Sequence, residues 1–215
     1  MTDANLNGQE DINLEKAWQA ARNIAYSAGE ILQEWWPKAK NVKQKGINDI
    51  VTNVDMESEK YIRDQIASCF PEHGIYGEEE SGDDPQQGYV WIIDPVDGTR
   101  NYAWGIPFFS LVIALAKDGE IITGVNYDPL HGEMFHAAKR KGAYLNENEI
   151  KVSRTESLEG SILGMDLAYE DEKGTIDMLN AVAKLWPRLK TTRIMGSSAP
   201  VSYTHLRAHE TDSYL

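Results

Sequence analysis

Residues 89–104 read YVWIIDPVDGTRNYAW. Tyr89, Val90, Trp91, Ile92 and Ile93 are aromatic, β-branched or apolar, as expected of a strand covered on both faces. Asp94 and Asp97 flank Pro95-Val96 where that strand is expected to stop. Gly98 allows a backbone geometry that a side chain hinders, and Thr99 and Asn101 follow in a short helix. Two carboxylates on a proline-stiffened turn can share divalent cations. Hard cations such as Mg²⁺ take oxygen ligands, with water or substrate phosphate completing the shell. A helix starting near Gly98 would add N–H groups that suit a phosphate. This juxtaposition suggests metal-assisted phosphoryl chemistry. The ordinary alternative is a solvated turn in which Asp97 caps a helix and Asp94 makes a structural hydrogen bond.

The whole chain narrows the field. Its 215 residues, 41% of them hydrophobic, suit one large domain or one and a half. A formal net charge of −13 argues against general nucleic-acid binding. No apolar run approaches the roughly 20 residues that span a bilayer, so no membrane partner is expected. The polar start MTDANLNGQED resembles neither a secretory signal nor a transit peptide. A single cysteine, Cys69, excludes an internal disulfide and fits a reducing compartment, which makes the cytoplasm the expected location.

Working outward along the chain, residues 1–13 are expected to be a disordered lead. Ala17, Trp18, Ala21, Ile24, Ala25, Ala28, Ile31, Leu32 and Trp35 recur at three and four, predicting a helix from Leu14 to Trp36, with Asn13 as cap and Pro37 beyond its end. A second helix is expected from Asp55 to Phe70, with Asp55 as N-cap and Met56, Tyr61, Ile62, Ile66 and Phe70 inward. Ile75-Tyr76 is a short strand that runs into Gly77-Glu78-Glu79-Glu80. Phe108–Ala116, Ile121–Tyr127 and Glu133–Ala137 predict antiparallel strands, joined first by a hairpin at Lys117-Asp118-Gly119-Glu120. Helices plus this meander indicate an α+β layered domain. A second unit opens at Ser161, with a helix over Glu172–Trp186, a strand at Thr191–Ile194 and a turn at Met195–Ala199. The expected organisation is a domain over residues 14–155, the start of another over 156–199, and an atypical tail over 200–215.

Four stretches then stand in series: DIVTNVD ending at Asp55, GEEES around Glu78, WIIDPVDGTRNY around Asp94 and Asp97, and RIMGSSA around Ser197. In this order they resemble the inositol monophosphatase family of magnesium-dependent, lithium-sensitive phosphatases. WIIDPVDGTRNY matches that family's DPxDGTxNF signature, with Tyr102 in place of Phe, and the resemblance spans about residues 14–199. It implies a layered α/β sandwich of the sugar-phosphatase type, with an antiparallel first sheet flanked by helices and an incomplete second sheet.

The resemblance also implies roles. Glu78, Asp94 and the main-chain carbonyl of Val96 would hold one Mg²⁺, Asp94 and Asp97 would bridge to a second, and the site would take two or three ions in all. Asp55 and Thr99 would orient and deprotonate the attacking water. Gly98 and Thr99 would bind phosphate through their N–H groups, Lys45 would help place it, and Ser197 and Ser198 would meet the substrate's hydroxyls. Asn101 and Trp104 are expected to brace the turn, and Glu79 and Glu80 to be solvated or to lie behind the ligands. The expected substrate is a small phosphate monoester, foremost inositol monophosphate. Related branches act on 3′-phosphoadenosine nucleotides, fructose 1,6-bisphosphate or histidinol phosphate, and full-length members are expected to be homodimers. The family's further motif, WDxAAG, is not found. After Ala199 the chain reads PVSYTHLRAHETDSYL, which looks foreign to the fold and leaves a catalytically dead metal-binding or regulatory fragment as an alternative.

Overall fold

A computed structural model describes residues 13–36, 38, 41–44, 50–152, 154, 156–165, 167 and 171–199. Lys45, residues 1–12 and the tail from Pro200 onward lie outside the described residues.

Helix α1 spans Leu14–Trp35, and the Asn13 side chain accepts a hydrogen bond from the Lys16 N–H at 3.1 Å. Its spacing of Ala17, Ala21, Ala25 and Ala28 makes a smooth buried stripe. Gly29 extends that stripe to the closest point, where a Cβ would sit 2.4 Å from Tyr127 Cε1. Strands β1 (Val42–Gln44) and β2 (Ile50–Thr52) form an antiparallel pair. Helix α2 spans Asn53–Cys69. It begins two residues earlier than expected, because Thr52 rather than Asp55 is the N-cap. Thr52 and Asp55 form a reciprocal capping box that satisfies two first-turn donors. Of the residues expected inward, Ile62 and Ile66 are buried, whereas Met56 is exposed.

Seven strands make the main sheet: β3 (Gly74–Gly77), β4 (Tyr89–Asp97), β5 (Ser110–Lys117), β6 (Glu120–Asp128), β7 (Glu133–Ala138), β8 (Gly142–Leu145) and β9 (Asn148–Ile150), in that spatial order. From β4 to β9 the pairing is antiparallel, as expected of a meander. The edge pair β3–β4 is parallel, so the first sheet is mixed rather than wholly antiparallel. The Asp118-Gly119 hairpin has positive φ at both residues, 49° and 82°, which matches the twist of β5 and β6. Trp91, Ile93, Leu111, Ile113 and Leu115 form one core with the inner faces of α1 and α2. The result is an α+β sandwich. Helix α3 (Thr99–Trp104) follows β4 directly.

A separate parallel pair, β10 (Ile162–Met165) with β11 (Thr191–Ile194), is connected through α4 (Glu172–Leu185). Helix α4 ends at Leu185, one residue before the expected Trp186, and Pro187 lies just beyond it. The proline sits in a single 3₁₀ turn, Trp186–Arg188.

Candidate active site

The strand expected to stop at Asp94 continues to Asp97, with a register shift against β5 between those two residues. Pro95 has no N–H to give the ladder, and the irregularity removes the need for one. The side chains of Asp94 and Asp97 therefore leave the regular ladder at its end. The Asp94 carboxylate accepts from the Val96 N–H at 3.1 Å, closing the turn on itself. Asp94 and Glu78 also share a hydrogen bond. Burial, then the charges of Glu78 and Asp97, hold the Asp94 carboxyl well above its ordinary range. Glu78 arrives from the end of β3, and its N–H donates to the Ile93 carbonyl at 3.2 Å.

Asp55 comes from the first turn of α2 and is fully buried. Its Oδ2 accepts from the Thr52 N–H at 3.1 Å and from the Thr52 hydroxyl. Its Oδ1 faces Thr99, whose hydroxyl lies 2.9 Å away and also 3.0 Å from the Val96 carbonyl. Thr99 carries one hydroxyl hydrogen, so it donates to one of these oxygens at a time. Burial pushes the Asp55 carboxyl up, against the hydrogen bonds from Thr52 and Thr99.

Gly98 holds φ +91° at the N-cap of α3, and no side chain caps that helix. A Cβ there would lie 2.8 Å from the Cβ of Ser197, so both backbone angle and space require glycine. The neighbour is the 195–199 segment. Ser197 and Ser198, expected to meet substrate, bond Asp97. The Ser197 hydroxyl donates to its carboxylate, the Ser198 N–H and hydroxyl reach Oδ1 at 3.3 and 3.1 Å, and the Ala199 N–H reaches Oδ2 at 2.9 Å. Asp97 thus caps the helical turn starting at Ser198, while being one of the acidic residues around Asp94. Among the described residues, no three His, Cys, Asp or Glu side chains form a ready-made metal cage. The remaining oxygens are of the right kind for a hard cation: the carboxyl groups of Glu78 and Asp94, drawn together by a shared hydrogen bond.

Asn101 braces the site as expected. Its amide donates at 2.8 Å both to the Phe108 carbonyl and to the Met195 carbonyl, fastening α3 to the following loop and to the 195–199 segment. Trp104 does not share that task, being 67% exposed. Thr52 and Glu59 were legible in principle and went unread. Thr52-x-x-Asp55 is a capping-box pattern, and Glu59 is a charge on the buried stripe of α2 between Asp55 and Ile62. Lys45 lies outside the described residues.

The mixed α+β sandwich is shared with solved inositol monophosphatases. The solved inositol monophosphatase of Anabaena superposes with a TM-score of 0.78 at 34% identity, covering 90% of this chain and 71% of that one. Residues 13–215 match the inositol monophosphatase family, to which this chain belongs; the match takes in residues 200–215. The inositol-1-monophosphatase of Bacillus subtilis is 38% identical over 170 residues, 78% of this chain and 63% of the relative. The fructose-1,6-bisphosphatase/inositol-1-monophosphatase of Aquifex aeolicus is 40% identical over 148 residues, 68% of this chain and 56% of the relative. The chain thus spans less than two thirds of either. No described helix is long and apolar enough to cross a membrane.

Proposed function

We propose that this protein hydrolyses a small phosphate monoester with Mg²⁺, and that inositol monophosphate is its principal substrate. The observation that carries the reading is the Thr99 hydroxyl, within 3.0 Å of both Asp55 and the carbonyl of Val96, the residue whose N–H bonds Asp94. Glu78, Asp94, Asp97 and the Val96 carbonyl would hold two or three Mg²⁺ ions. Bound Mg²⁺ supplies charge neutralisation at the phosphate and leaving oxygens and acidifies water. Thr99 accepts a proton from the attacking water as it passes its own to Asp55 Oδ1. Desolvation raises the proton affinity of that carboxylate, which suits a general base. The main-chain N–H groups at Gly98 and Thr99 orient phosphate oxygens, and Ser197 and Ser198 meet the substrate's hydroxyls. Lys45 completes the phosphate contacts. A cytoplasmic location, a domain boundary near residue 155 and a homodimer of the full-length form belong to the same reading.

A panel of esters with and without Mg²⁺ tests it: inositol monophosphate, fructose 1,6-bisphosphate, a 3′-phosphoadenosine nucleotide and histidinol phosphate. Mg²⁺-dependent phosphate release, fastest from inositol monophosphate, is expected. The capping of Asp97 by residues 197–199 favours a second reading, a metal-binding or regulatory protein without turnover. Mg²⁺ uptake with no release from any ester would select it.

A further inference from the structure

The loop that carries Glu78 is tied to α2 through main-chain amides. The tie is Glu59, 2% exposed and one turn beyond Asp55. Its Oε2 accepts from the Glu79 N–H at 2.8 Å, and its Oε1 accepts from the Glu80 N–H at 3.0 Å and from Arg63 Nε at 2.8 Å. Arg63 in turn donates to the Glu80 carbonyl, whose other donor is the Gly77 N–H at 3.2 Å. Gly77 leaves the room: a Cβ there would lie 2.3 Å from Glu59 Oε1. Glu78 is therefore held on both sides, by its own N–H on β4 and by its two following amides on Glu59.

We infer that Glu59 is a positioning residue for Mg²⁺ binding, clamping the Glu79 and Glu80 amides so that the Glu78 carboxylate meets Asp94. This rests on Glu78 being a metal ligand, as proposed above. The same helix then sets two parts of the site from one face, Asp55 directly and Glu78 through Glu59. A buried carboxylate is needed because three donors converge on it from different directions. A Gln cannot replace it. With its carbonyl toward Arg63, its amide opposes the Glu79 N–H. With the carbonyl toward Glu79, its amide opposes Arg63 and the Glu80 N–H.

Glu59→Gln and the shorter Glu59→Asp, each checked for folding by circular dichroism, test the assignment. Amide hydrogen exchange should quicken at Glu79 and Glu80. Mg²⁺ affinity by titration calorimetry should fall about 10–100-fold, the usual cost of removing a residue that orients a ligand. The turnover number at saturating Mg²⁺ should change far less, a split that general destabilisation would not produce. If Glu59→Gln does not fold, Glu59→Asp carries the comparison, since it keeps the buried charge opposite Arg63. A folded variant that binds Mg²⁺ as the parent does overturns the role of Glu59. A parent that takes up no Mg²⁺ overturns instead the metal-site reading on which it rests.

Discussion

Asp55→Asn exchanges one oxygen for an amino group at a fully buried position, and it should abolish activity at little cost in stability. The replacement fits the existing hydrogen bonds. Its carbonyl can take the Oδ2 place and accept from the Thr52 N–H, now at 3.1 Å. Its amide then points at Thr99 and donates to that hydroxyl, whose hydrogen turns to the Val96 carbonyl 3.0 Å away. The Thr99 hydroxyl then becomes a donor to the wrong oxygen, and the base is gone. Loss of a general base costs about 10²–10⁴-fold, or roughly 2.7–5.5 kcal/mol of barrier. Stability follows a different balance. The Asp55 carboxyl has a raised folded-state pKa, from burial. Its contribution to stability is complete below the unfolded-state value near 3.8. That contribution is lost as pH rises through the folded-state value, because over that window the folded state holds the extra proton. Asn never ionises and avoids that loss, at the cost of a helix N-terminal charge worth about 0.3–1 kcal/mol. Urea unfolding of parent and variant from pH 4 to 8 should show the difference shifting in the variant's favour as pH rises. At pH 7 the variant should be within about 1 kcal/mol of the parent, or above it, while Mg²⁺-dependent phosphate release collapses. A variant within tenfold of parental turnover, or one destabilised by more than ~3 kcal/mol as broken buried networks are, would refute the argument.

Asp94→Asn should cut Mg²⁺-dependent turnover by more than ~100-fold, about 2.7 kcal/mol of barrier, with the fold kept; a loss below tenfold in a phosphate-release assay would remove Asp94 from the metal site. Thr99→Val preserves shape but cannot pass a proton, so turnover should vanish while calorimetric Mg²⁺ affinity stays. If affinity fell with rate, Thr99 would be a ligand. Tyr102→Phe restores the residue of the DPxDGTxNF signature and removes the bond from the Tyr102 hydroxyl to the Leu32 carbonyl, 2.7 Å long. That carbonyl keeps the Trp36 N–H at 2.9 Å, so the cost should be near 1 kcal/mol. That is a fall of roughly 2–4 °C in Tm for a chain of this size, and a much larger fall would give the hydroxyl a further role.

What could be read from the amino-acid sequence divides along a physical line. Local periodicity carried α1, because an apolar stripe at three and four is written in consecutive residues, and it carried the β5–β6 hairpin, because Asp118-Gly119 accepts positive φ. The pairing of Asp55 with Thr99, and of Glu78 with Asp94, joins residues far apart in sequence, which motif order can suggest and periodicity cannot. Spacing alone cannot place α2, β3 and β4 side by side. The parallel β3–β4 edge escaped because four residues, GIYG, carry no sign of strand direction. Helix α2 starts earlier than expected because Asp55 and Thr52 are both good caps, and the structure uses them together, Thr52 as N-cap and Asp55 as its capping-box partner.

Asp97 shows why the site's chemistry is harder to read than its fold. A carboxylate after a strand suits a cation and a helix start equally, since each presents positive charge to the same oxygens. The structure gives both of its oxygens to Ser197, Ser198 and Ala199. The Ser197 hydroxyl also lies 3.1 Å from the Asp97 main-chain carbonyl, so it has an alternative acceptor within reach. Turning to that carbonyl would free one carboxylate lone pair without leaving the serine unpaired. The bond to Asp97 therefore ties the 195–199 segment to the acidic strand end. Asn101, bonded to Met195 in the same segment, adds a second tie.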